Sequence, residues 1–124
     1  MRKTLFSAII VIGLSTTGIL AKGNTHLVQL ASKQETLSHN IIDAYKKQDK
    51  DSVLSAIKIL NAAETKLRSQ VKNDEISNLL VYMNLCLKDL EKVVKKPYSS
   101  NNAQKVAELS GSISEGSRYI AASL

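Results

Sequence analysis

The chain has 124 residues, 44% of them hydrophobic, with 17 Lys and Arg against 11 Asp and Glu, for a formal net charge of +6. That length supports one core and not two, and the single cysteine, Cys86, excludes an intramolecular disulfide as its staple. With no tryptophan and with lysines scattered along the chain, the basic balance marks a solvated surface, and no nucleic acid is expected as a partner.

Residues 1–23 read as an export signal. Met1, Arg2, Lys3 and Thr4 form a positive start, Leu5 to Leu20 is an uncharged apolar run, and Ala21, Lys22 and Gly23 offer a small-x-small cleavage motif. Cleavage after Gly23 removes Arg2, Lys3 and Lys22 and lowers the formal +6 to +3; Ala21 is a second candidate site. The apolar run is short against the roughly 20 residues that a span usually needs, and it contains Gly13, Ser15, Thr16, Thr17 and Gly18. The expected location is therefore periplasmic or secreted, with an uncleaved N-terminal membrane anchor as the alternative. Residues 24–124 then make one domain.

Leu27, Leu30, Gln34, Leu37, Ile41 and Ala44 recur at alternating steps of three and four, which predicts a first helix whose inward face is broken only by Gln34. The polar stretch Gln48-Asp49-Lys50-Asp51-Ser52 supplies a connection and an N-cap for a second helix, with the stripe Val53, Ile57, Leu60, Glu64, Leu67 and Val71. Asn73 or Asp74 caps a third, in which Ile76, Leu80, Met83, Leu87, Leu90 and Val94 form an unbroken seam widened by Leu79, Cys86 and Val93. This helix is expected to be the best buried, with Met83 and Cys86 as packing residues. It must stop near Lys96, because Pro97 lacks a backbone donor and biases the preceding residue away from helix. Ser99, Ser100, Asn101 and Asn102 offer caps for a fourth helix, whose seam of Ala103, Val106, Ser110, Ile113, Ser117, Ile120 and Leu124 is the weakest. Lys46, Lys47, Lys95 and Lys96 fall near predicted helix ends, where cations meet the negative pole of the helix dipole.

No segment alternates with period two, and the connections are short. The expected fold is all-α, an antiparallel up-down-up-down four-helix bundle preceded by a signal peptide. Counting a rise of about 1.5 Å per residue from the helix ends sets Gln34 level with Ser117, and Glu64 and Asn84 at a similar height. Ser38 and Ser114 lie one turn away, along the contact between the first and last helices. Such a layer either fixes helix register through internal hydrogen bonds or forms a small polar cavity or cleft for a ligand or partner side chain. The candidate ligand-binding residues are thus Gln34, Ser38, Glu64, Ser114 and Ser117.

The run Leu30-Ala31-Ser32-Lys33-Gln34-Glu35-Thr36-Leu37-Ser38-His39-Asn40 resembles the first-helix motif of the PilJ/NarX-type N-terminal sensor domain, written A-G-x-Q-R-M-L-S-Q-R. Leu109-Ser110-Gly111-Ser112-Ile113-Ser114-Glu115-Gly116-Ser117-Arg118 is similar to the closing element of that domain. Leu37, Ser110 and Glu115 are the motif positions outside the polar layer. The resemblance implies an extracytoplasmic four-helix sensory bundle, as in nitrate/nitrite sensor kinases and pilus-linked chemoreceptors, here in a stand-alone version. The chain departs from the pattern at Glu35 and Asn40, which stand where the motif has arginines, and at His39, which replaces glutamine. Those arginines bind the anion in nitrate-sensing members, and a carboxylate repels what an arginine fork recognises, so nitrate binding does not carry over. Arg68 and Arg118 are the only arginines after the signal region, and either could reach the layer from its edge. The chain carries no second span, linker helix or kinase, so the expected partners are a small molecule or anion, a membrane receptor, and a second copy in a homodimer.

Catalytic signatures are missing from the pattern. His26 and His39 have only the helix-surface pairings Glu35 with His39 and His39 with Asp43, short of the three or four converging ligands of a metal site. There is no C-x-x-C-H for haem, no phosphate loop and no dinucleotide turn. A helical seam offers no free amides for an oxyanion hole beside a serine and His39. Gly111 and Gly116 are expected to permit close helix approach. The reading is a non-enzyme with no cofactor, acting as a ligand-binding or sensory-accessory module, or alternatively as an interaction protein docking on a membrane receptor or envelope assembly.

Overall fold

The computed structural model describes residues 19–124, with side chains described from Thr25 onward. The n-region and most of the apolar run of the expected signal, residues 1–18, lie outside the described residues. Four helices pack together: α1 (Ile19–Lys46), α2 (Lys50–Gln70), α3 (Asp74–Val94) and α4 (Ser100–Ser123). No strand occurs among the described residues. α1 packs against α2 and α4, α3 packs against the same two, and the α1–α4 contact is the most extensive. None of the described helices is long and apolar enough to cross a membrane.

The helix boundaries follow from short-range chemistry. α1 ends in a Schellman turn, in which Gln48 N–H donates to Tyr45 O and Asp49 N–H to Ala44 O, each at 2.9 Å. Gln48 carries the turn's left-handed residue at φ 58°, a place usually given to glycine. The Asp49 carboxylate then caps α2, accepting from Ser52 N–H at 3.2 Å and Ser52 Oγ at 2.7 Å, and these bonds hold its pKa below the usual carboxylate value. Asn73 caps α3 by accepting from Ile76 N–H at 3.0 Å, and Ser99 caps α4 by accepting from Asn102 N–H at 3.0 Å. α3 stops at Val94, three residues before Pro97, whose carbonyl accepts from Asn102 Nδ2 at 2.9 Å.

The core runs the length of the bundle. Every member of the expected α2 stripe is buried, including Glu64, and Ala56 and Ala63 join it. α3 buries its full apolar seam, with Cys86 and Val93 inside and Leu79 half-buried. On α4, Val106, Ser110, Ile113, Ser117 and Ile120 are buried, joined by Ser114 and Gly116, while Ala103 and Leu124 are only partly covered.

α1 departs from expectation. Its inward line is Leu27, Ala31, Gln34, Ser38, Ile41 and Tyr45, whereas Leu30, Leu37 and Ala44 are half-buried beside it. The cause is the facing helix: α4 presents Ser110, Ser114 and Ser117 among its buried residues. Small or hydrogen-bonding side chains on α1 fit against that surface, and the leucines lie along the flanks of the contact.

The two interior glycines of α4 also differ. A Cβ at Gly116 would stand 2.6 Å from Met83 Sδ and 3.0 Å from Met83 Cγ, so this glycine does permit α4 to approach α3. At Gly111 an added Cβ would meet nothing within 4 Å, which overturns the expectation of a close-approach role there.

Candidate functional site: the polar seam between α1 and α4

Gln34 and Ser38 project from α1 at a spacing of four, and Ser110, Ser114 and Ser117 project from α4 at spacings of four and three. All five are buried, with Gln34 only 1% exposed. Ser38 Oγ donates to Gln34 O at 2.7 Å, and Ser117 Oγ donates to Ile113 O at 2.7 Å, each closing on its own helix. Ser117 Oγ also lies 3.3 Å from Gln34 Oε1. One hydroxyl proton cannot serve two acceptors; with the Gln34 amide turned so that its NH₂ donates to Ser117, both bonds are satisfied.

One turn away, Ser114 Oγ is 3.0 Å from His39 Nε2, which links a buried hydroxyl to an imidazole on the exposed side of α1. Beyond the layer, Arg118 Nε donates to Glu35 Oε2 at 2.9 Å. Arg118 is therefore committed to the Glu35 carboxylate. Ser110 Oγ is buried without a hydrogen-bond partner. The seam thus holds an amide, several hydroxyls and the edge of an imidazole.

Glu64 takes a different position. It is 2% exposed, and its carboxylate oxygen Oε2 is in ion-pair contact with Nε of Arg68, one turn along α2 and 44% exposed. That oxygen nevertheless lacks an aligned hydrogen bond. Burial raises the Glu64 pKa above the usual carboxylate value, against the opposing pull of Arg68 and of the more distant Lys88. Among the described contacts Glu64 does not hydrogen-bond Gln34 or the serines, so the side chain expected to complete the layer belongs to a separate ion pair. Asn84 is half-buried. Of the motif residues, Leu37 flanks the seam, Ser110 lies in it, and the exposed Glu115 lines a groove with Tyr82 and Tyr119 between α3 and α4.

The helix-height count brought out Gln34 and Ser117, but it did not find the His39–Ser114 link or the Glu35–Arg118 pair. Both join an exposed side chain to a neighbouring helix, and apolar periodicity carries no signal for such contacts. Among the described residues no cluster of three His, Cys, Asp or Glu could hold a metal ion. Comparison with family models, curated proteins and solved structures gives no match to the chain.

Proposed function

We propose that the chain is a non-catalytic ligand-binding or sensory-accessory module of the periplasm or the secreted fraction, working through the α1–α4 seam. The observation that carries this reading is a buried set of five polar side chains, Gln34, Ser38, Ser110, Ser114 and Ser117, one of which, Ser110, has a hydroxyl with no partner. A buried hydroxyl without a hydrogen bond is costly, about 1–3 kcal/mol, and a ligand group or a small helix shift relieves it. The similarity of both seam segments to PilJ/NarX-type sensor motifs supports the same site. The Glu35–Arg118 pair argues against an anion and for a neutral polar ligand.

The reading includes an antiparallel up-down-up-down topology. It is supported by the pairing of His39 with Ser114 and of Gln34 with Ser117, in which one number falls as the other rises. The signal-like start supports export. A module of this kind passes its state to a membrane receptor or across a homodimer.

A thermal-shift screen of the purified protein against small polar metabolites and anions tests the reading. Stabilisation that is lost in Gln34→Ala and Ser117→Ala supports it, and stabilisation untouched by both removes the seam as the site. A second reading, an interaction protein docking on a receptor or envelope assembly, is favoured by exposed Val81, Tyr82 and Leu85 on α3 with Tyr119 on α4. Absence of any ligand response, together with a partner whose binding is lost in Val81→Ser and Leu85→Ser, would select it.

A further inference from the structure

A cavity of about 210 Å³ opens where α1 gives way to α2 and α3 to α4, far in sequence from the seam centred on Gln34 and Ser117. Its apolar walls come from Val53, Val94 and Pro97 with the rings of Tyr45 and Tyr98. The two rings are tilted by 30° with centroids 5.2 Å apart, an aromatic pair that leaves face and edge for a third planar group. A cavity of about 150 Å³ is enough for benzene, so one substituted ring fits this space.

Tyr45 is 7% exposed and its hydroxyl is buried beside the Ser99 amide, so the cavity meets the ring and not the phenol oxygen. Lys50 and Lys96 stand at the exposed mouth. Two lysines against one acidic lining residue, Asp49, leave the mouth with an excess of positive charge. Gln48 lines the cavity from a left-handed backbone position that glycine would fill without strain, and strained positions of this kind gather at ligand clamps.

We infer that this end cavity binds a small aromatic carboxylate, with the ring against Tyr45, Tyr98 and Val53 and the carboxylate accepting from a lysine ammonium at the mouth. The chemistry is that of a planar apolar body carrying one anionic group, and it is independent of the polar seam. Lysine serves here as a point charge at a wet mouth.

Titration of the purified protein with sodium benzoate, followed by amide chemical shifts, tests the inference. Saturable shifts are expected at Gln48, Lys50, Tyr98 and Val53, with neutral benzamide about tenfold weaker. Lys96→Gln should weaken benzoate while leaving benzamide unchanged, and Gln34→Ala should change neither. Absence of saturable shifts at these residues overturns the inference, as does benzoate binding that Lys96→Gln leaves intact.

Discussion

Gly111 and Gly116 lie five residues apart in one helix, and the structure assigns them opposite responses to the same substitution. In a helix interior, glycine to alanine gains about 1 kcal/mol from the reduced freedom of the unfolded chain. At Gly111 the new methyl meets nothing within 4 Å, so the full gain of about 1 kcal/mol should appear. At Gly116 the methyl would stand 2.6 Å from Met83 Sδ and 3.0 Å from Met83 Cγ, against an ordinary carbon contact of roughly 3.5–4.0 Å. Met83 is almost fully buried, so it cannot swing into solvent; displacing it is overpacking, which costs about 1–3 kcal/mol. Net stability for Gly116→Ala should therefore fall by up to about 2 kcal/mol, or at best stay level. Urea unfolding followed by circular dichroism at 222 nm measures both variants, and the double-mutant cycle with Met83→Ala isolates the contact. In the Met83→Ala background, Gly116→Ala should recover the gain seen at Gly111. Equal stabilisation by both glycine changes in the parent chain would refute the close approach of α4 to α3.

Leu80→Ala and Leu90→Ala should each lose about 2–5 kcal/mol in the same assay, because both side chains are fully buried in the α3 seam, whereas Lys95→Ala should be nearly silent. Glu64→Gln should raise the thermal midpoint by an amount that grows with pH. Burial raises the folded-state pKa of Glu64 above the usual carboxylate value, so its favourable contribution is complete below that usual value and is lost as pH rises through the folded pKa. A midpoint difference between Glu64→Gln and the parent chain that stays constant from about pH 4 to about pH 7 would show that Arg68 compensates the burial in full. Gln48→Gly should stabilise by up to about 1 kcal/mol through relief of the left-handed backbone at φ 58°, and a loss measured by urea unfolding would show that the Gln48 side chain holds the turn.

The helices were legible wherever the apolar pattern had a single solution. α3 has one unbroken seam, and its burial matches the spacing residue for residue. The caps Asp49, Asn73 and Ser99 were legible because their side chains act on amides only three residues away. α1 offered two solutions: Leu30, Leu37 and Ala44, or Ala31, Ser38 and Tyr45, continue the same three-and-four rhythm through Leu27, Gln34 and Ile41. Hydrophobicity favours the leucines, and the choice falls the other way because of what α4 presents, which no feature of α1 reveals. The Gln34–Ser117 contact could be counted from helix ends. The burial of Glu64 could also be expected, but its pairing with Arg68 depends on side-chain rotation and not on helix height. The end cavity had no signature, since its residues come from three helix termini and two connections and acquire a common boundary only when the helices pack.

The way the buried hydroxyls are satisfied bears on which contact of the bundle is easiest to open. Ser38 and Ser117 donate to carbonyls four residues back on their own helices, so these bonds survive if α1 and α4 separate. Across the interface itself, the described hydrogen bonds are Ser117 with Gln34, Ser114 with His39, and Arg118 with Glu35. The last two each include an exposed partner that water can serve instead. α3, by contrast, enters the core through Leu80, Met83, Leu87 and Leu90, and opening it exposes fully apolar side chains at about 25 cal/mol per Å². Separation along α1–α4 therefore forfeits less per unit length than separation at α3, although it is the most extensive contact in the bundle. Native-state hydrogen exchange reads this ordering directly: amides of α1 and α4 around Ser38 and Ser114 should open at lower free energy than those around Leu87. Equal protection in the two regions would mean that the seam is as rigid as the apolar core, and a ligand or signal could then act only at the ends of the bundle.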